Sequence, residues 1–266
     1  MRRSASRAVL PTLALLYAAA GGVDPAGAEV SRADLAKVGV HTPAGARAPL
    51  DLPLRDQAGM ATTLGAALHG QTGVLVFQDY RCKTLCGPAL AIVAAGVRAS
   101  GLKPGGDFRL VAIGLNPRET PADARAMQTS RLGDQPVLLS KSTFLTGDAA
   151  AIAAATAAMG FGYAYDTATD QFTHPVAAFV LSPTGLVTRV LPETALTGPD
   201  LRHAVQSADR GQVGGLVDTL RLLCHDIVPL TGRYDGAVQT ALRIGGVVTV
   251  LAMLGAGAAL FRRRTA

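Results

Sequence analysis

The chain has 266 residues, 49% of them hydrophobic and 5% aromatic, with a formal net charge of +6 and three cysteines. That balance excludes a disordered polar chain and a disulfide-dense mini-domain, and it leaves room for one domain with a sizeable core. The charge sits at the ends: residues 1–28 carry +2, the C-terminal arginines +3 and residues 29–261 only +1, so no basic nucleic-acid surface is implied.

Residues 1–28 read as a signal peptide. Arg2, Arg3 and Arg7 precede an apolar run from Ala8 to Ala20, and Ala26-Gly27-Ala28 supplies small residues for cleavage. The run is too short and alanine-rich for a membrane span, which needs about 20 apolar residues. The main domain is expected over 29–211. It begins with a proline-punctuated extended lead-in, "HTPAGARAPLDLP". Gly73 to Tyr80 is a continuous apolar run that predicts a central strand. The segment from Cys82 to Ser100, with Leu85, Leu90, Val93 and Val97, predicts a helix ended by Gly101. Asp107 to Asn116 predicts a second buried strand. Pro121 to Ser130 predicts a helix with Thr120 as N-cap and Pro121 at its first position. "QPVLLSKS" reads as a short third strand. Asp148 is placed to cap an alanine-rich helix to Met159, stopped by Gly160. "HPVAAFVLSPTGLVTRVL" predicts two strands around a Pro-Thr-Gly turn, and Gly198 to Asp209 a closing helix. This order describes an α/β, thioredoxin-like three-layer sandwich.

Residues 212–240 form a juxtamembrane segment. Val213, Leu216, Val217, Leu220, Leu223 and Cys224 share one helical face, opposite Asp218 and Arg221. Cys224 there reads as a small apolar residue; joined to His225, it would be an auxiliary metal or redox site. Residues 241–261 hold an uncharged run from Ile244 to Phe261 and predict a transmembrane helix, with 262–266 as a cytoplasmic tail. Three arginines follow the run and its other flank is neutral, so the C-terminus is expected inside and the main domain outside.

In an exported chain cysteines tend to be oxidised, and three cannot all pair internally. Cys82 and Cys86 form a CxxxC. On one helical turn they would be an i,i+4 pair with Cβ atoms about 5–6 Å apart, wider than the ~3.5–4.5 Å a disulfide prefers. That spacing favours metal capture and leaves a strained, reducible disulfide open. The adjoining Cys-Gly-Pro begins like a thioredoxin motif, but Ala89 follows, so CxxC chemistry is excluded there. A third ligand is sought among His41, His69, His174, His203 and His225. His174 is the best placed, because a thioredoxin-like sheet brings the start of its strand toward the cysteine turn. Two thiolates and one imidazole form a soft set suited to Cu(I) and tolerant of Cu(II).

Four stretches, in order, resemble the SCO/SenC family of thioredoxin-fold copper proteins. They are "VFQDYRCKTLC", "LNPRETPADA", "FLTGD" and "THPVAAFVLSPTG", within a resemblance spanning about Pro49 to Arg210. The resemblance implies copper ligands at Cys82, Cys86 and His174. It also implies work in cytochrome c oxidase copper-centre assembly at the bacterial inner membrane, with the main domain periplasmic. The implied partners are the copper-receiving oxidase subunit, periplasmic copper carriers and thiol reductants. Lys83 stands where the family has Pro, Asn116 where it has Asp, and Thr173 where Asp is common, which bears on copper affinity. The alternative is a thiol–disulfide oxidoreductase in which Cys82 and Cys86 cycle without metal. A peroxidase is disfavoured, since Gln78, Asp79 and Tyr80 precede Arg81 and Cys82 where a Ser or Thr would be needed.

Overall fold

The computed structural model describes residues 32–82, 86–167 and 169–212, with single helical positions at 244–246, 249 and 253. The side chains of residues 86–89 lie outside that description.

A short helix α1 (Arg32–Leu35) and strand β1 (Gly39–Val40) lead into a hairpin of β2 (Pro53–Arg55) and β3 (Ala61–Thr63), then α2 (Leu64–Leu68). The central elements are β4 (Gly73–Gln78), α3 (Cys86–Ser100), β5 (Arg109–Gly114), α4 (Pro121–Leu132), α5 (Pro136–Ser140), β6 (Ser142–Leu145) and α6 (Ala149–Met159). After β7 (Phe161–Gly162) comes a hairpin of β8 (Ala164–Asp166) and β9 (Gln171–Thr173), then β10 (Ala177–Leu181), β11 (Val187–Pro192) and α7 (Gly198–Asp209).

The main sheet has the order β11-β10-β4-β5-β6. β4, β5 and β6 run parallel, β10 pairs antiparallel with β4, and β11 pairs antiparallel with β10. Successive side chains of a strand point to opposite faces, and β4 shows the consequence. Val74 and Val76 face a core completed by Leu90, Val93 and Val97 of α3, Met127 of α4 and Leu201 and Val205 of α7. Leu75 and Phe77 face a second core with Leu64 and Leu68 of α2, Ile152 and Met159 of α6, and Phe161. A strand buried on both faces reads as a continuous apolar run because neither face meets water. The result is the expected three-layer α/β sandwich in its thioredoxin-like arrangement.

The caps behave as the sequence suggests. Thr120 and Asp123 form a reciprocal capping box at α4. Asp148 accepts from the backbone N–H of Ala151 at α6. Gly160 ends α6 at φ 64°, where a Cβ would lie 2.1 Å from the carbonyl oxygen of His41. Only glycine fits that turn.

Two expectations change. "QPVLLSKS" is not a strand over its length: Pro136, with its fixed φ and missing N–H, starts helix α5, and the strand follows at Ser142–Leu145. The helix predicted from Cys82 begins at Cys86, and Cys82 lies in the loop before it. Among the described residues no helix is long and apolar enough to cross a membrane. The predicted signal peptide, the juxtamembrane segment with Cys224 and His225, and most of the predicted span lie outside the described residues.

Candidate metal and redox site

The site forms where β4 runs out of the sheet. Gln78 and Asp79 are 1% exposed and Tyr80 6%, so the chain stays buried until Arg81. The Tyr80 hydroxyl donates toward the carbonyl oxygens of Ala112 and Leu145 at 2.9 and 3.0 Å, which anchors the turn to the sheet. Two residues after Tyr80, Cys82 is partly exposed, and its N–H reaches the carbonyl of Asp79 at 3.4 Å.

Cys82 is disulfide-bonded, and its partner's side chain lies outside the described residues. Because Cys82 precedes the helix, the fixed i,i+4 separation expected of a helical CxxxC does not constrain it. Helix geometry therefore no longer weighs against a disulfide. Lys83 lies outside the described residues.

Two buried carboxyl groups sit under this loop. Asp79 accepts from the N–H of Arg81 at 2.9 Å and from the N–H of Phe172 at 3.2 Å. The first bond shapes the turn locally; the second ties β9 to the cysteine loop. Glu119, 7% exposed, accepts the N–H of Tyr80 through Oε1, and its buried carboxyl lies against the side chain of Asp79. Burial, helped by the charge of Asp79, pushes its carboxyl up to about 9, so it is protonated at neutral pH. Glu119 reaches inward from a turn shaped by Asn116, whose Oδ1 accepts the N–H of Arg118 at 3.0 Å.

The β8–β9 hairpin packs over the same loop. Gln171 places its side-chain oxygen 3.5 Å from the sulfur of Cys82. Arg118 bonds Tyr165 at 3.0 Å and pairs with Asp170, and Tyr165 donates to Asp170 at 2.7 Å. This exposed cluster joins the Asn116–Thr120 turn to the tip of the hairpin. It is worth little as an isolated surface pair, yet it fixes where β9 lies.

His174 was expected to open the strand, but it lies in the link between β9 and β10, three residues before β10 begins at Ala177. The antiparallel pairing Ala178↔Val76 carries the preceding residues toward Asp79. The ring is largely buried, and burial lowers its pKa, partly offset by the Pro175 carbonyl and by the charge of Asp79. It is therefore neutral. Nδ1 lies 3.1 Å from the carbonyl oxygen of Pro175, which places the ring proton there, and Nε2 is buried with no hydrogen-bond partner among the described residues. A buried lone pair without a donor is costly unless something occupies it.

The sequence proposed Cys82 and His174 as site residues and gave no sign of the groups the fold gathers around them. Asp79, Glu119 and Gln171 were missed, as was the β8–β9 hairpin, whose only signal is Tyr165 and Phe172 flanking an Asp/Thr-rich turn. Among the described residues no cluster of three metal-ligating side chains stands on its own. Two of the other candidate histidines lie elsewhere in the fold: His69 is the left-handed C-cap of α2, and His203 is on α7.

No family model matches the chain, and no curated protein does so either. Solved structures do match. A candidate electron transfer protein from Aquifex aeolicus VF5 is 22% identical, with 63% of this chain and 95% of that one covered and a TM-score of 0.54. A candidate electron transport protein from the same organism is 18% identical over 62% of this chain and 98% of that one, with a TM-score of 0.51. Both support the fold. Arabidopsis thaliana ScoI with copper bound is 19% identical over 59% of this chain and 96% of that one, at a TM-score of 0.49.

Proposed function

We propose that the chain is a copper-binding protein of the SCO/SenC kind, which holds Cu(I) through Cys82, Cys86 and the Nε2 of His174. Its cargo would pass to a copper-receiving subunit of cytochrome c oxidase. The observation that carries this reading is the buried, neutral imidazole whose Nε2 has no hydrogen-bond partner among the described residues, in a link that β9 ties to the Cys82 loop through Asp79. Two thiolates and one imidazole match the soft preference of Cu(I), and Cu(II) would be held more weakly. Both thiols must be reduced to bind it, so Cys82 would have to be released from its disulfide first. Periplasmic copper carriers and thiol reductants are the corresponding upstream partners. The export signal and the C-terminal span would tether the domain to the outer face of the bacterial inner membrane, where donor and acceptor share one surface.

Titration of the full-length, reduced chain with Cu(I) against a competing chelator tests this. Cys82→Ser, Cys86→Ser and His174→Ala are each expected to weaken binding by at least about tenfold to a hundredfold, since even outer-shell losses cost that much. Unchanged affinity in all three would remove the assignment.

A second reading has its own support. Cys82 lies off the helix and in a disulfide, as a metal-free thiol–disulfide oxidoreductase cycling Cys82 and Cys86 requires. It predicts that His174→Ala keeps disulfide-reducing activity in the presence of a copper chelator, whereas the copper reading gives that activity no necessary role.

A further inference from the structure

Gln171 is the polar side chain of the hairpin that meets the Cys82 sulfur, at 3.5 Å from its Oε1. Its position is built rather than incidental. The neighbouring residue, Phe172, is pinned through its N–H by the buried carboxylate of Asp79. Gln171 itself pairs in register with Asp166 of β8. Phe172 packs in tilted contacts between Tyr163 and Tyr165 at centroid distances of 5.7 and 4.9 Å, and Asp170 is held by Arg118 and Tyr165. The strand thus has little freedom to carry its amide away from the sulfur.

An amide oxygen distinguishes the two redox states of that sulfur. A thiol S–H can donate to it; a disulfide sulfur has no proton to donate. We propose that Gln171 is the hydrogen-bond acceptor for the Cys82 thiol, and that it shifts the cysteine pair toward the reduced, copper-competent form. This rests on the reading that Cys82 must be reduced to function. In the step concerned, the disulfide of Cys82 takes up two electrons and two protons and its S–S bond breaks to give two thiols. With dithiothreitol as reductant, both electrons and both protons come from its two thiols, which close to a cyclic disulfide.

Removing the acceptor destabilises only the reduced state. Gln171→Ala should therefore lower the equilibrium constant for reduction by about threefold to tenfold, a potential more negative by up to about 30 mV for a two-electron couple. Gln171→Glu keeps an acceptor oxygen at the same reach and should stay at or above the wild-type constant. The full-length chain is equilibrated in dithiothreitol buffers of graded ratio, and Cys82 is quantified by alkylation and mass spectrometry. Far-ultraviolet circular dichroism confirms that each variant is folded. Equal constants for wild type and Gln171→Ala, or equal shifts in the Ala and Glu variants, would overturn the role of Gln171. Cu(I) affinity of the fully reduced proteins is read separately. Loss of affinity in Cys82→Ser with no redox effect of Gln171 would sink this inference alone. A redox effect of Gln171 with unchanged affinity in Cys82→Ser would sink the copper reading alone.

Discussion

Glu119→Gln is expected to make the protein more stable at alkaline pH while leaving its stability near pH 5 almost unchanged. Glu119 is pushed up from an ordinary 4.5 to about 9, chiefly by burial. Between those values the folded protein keeps a proton that the unfolded chain releases. The unfolded state then binds fewer protons, so stability falls as pH rises. The contribution is fully present below the unfolded value and is lost progressively until the folded value is passed. At most the slope is about 1.4 kcal/mol per pH unit, or on the order of 4 kcal/mol between about pH 5 and about pH 8. Gln carries the same oxygen to the N–H of Tyr80 and no titrating charge beside Asp79. Urea unfolding across this range should show the variant gaining about 2–4 kcal/mol over wild type by about pH 8, a large share of a typical domain's stability. Parallel pH profiles would contradict the assignment of Glu119 as a buried acid.

Gly114→Ala is expected to cost about 3 kcal/mol and to disturb the cysteine loop. A Cβ at Gly114 would lie 2.1 Å from Oε2 of Glu119 and 2.9 Å from Cε2 of Tyr80. A side-chain oxygen can often move aside, but this one is buried and its carboxyl holds the N–H of Tyr80. Moving it combines overpacking, about 1–3 kcal/mol, with an unpaired buried N–H of similar cost. The damage should not stay local, because Tyr80 is two residues from Cys82. Adding Glu119→Ala to Gly114→Ala should recover part of the loss, giving clear non-additivity in a double-mutant cycle. A loss below about 1 kcal/mol, or additive effects, would show that Glu119 does not fill the space beside Gly114.

How much of this was legible in the sequence follows from what each feature depends on. β4, β5, α4, α6 and α7 announce themselves through local signals: apolar runs buried on both faces, the Thr120 cap with Pro121, and the Asp148 and Gly160 boundaries. The start of α3 was misplaced because the CxxxC spacing suits a helical turn, whereas the turn shaped by Asp79 holds Cys82 outside it. The helix at Pro136–Ser140 was hidden by an apolar composition that serves strand and helix equally. His174 was legible only because topology ties the start of β10 to the end of β4. Glu119 and Gln171 were not, since their partners Tyr80 and Cys82 lie 39 and 89 residues away. Nothing local in the chain marks which carboxyl or amide the fold will turn inward.

The central claim is that Cys82, Cys86 and His174 hold one copper ion together. Copper K-edge X-ray absorption on the Cu(I)-loaded full-length chain tests it most directly. Two sulfur scatterers and one imidazole nitrogen per copper are expected, with the imidazole signal lost in His174→Ala and the sulfur signal halved in Cys82→Ser. A spectrum without sulfur, or an imidazole signal that survives in His174→Ala, would contradict it.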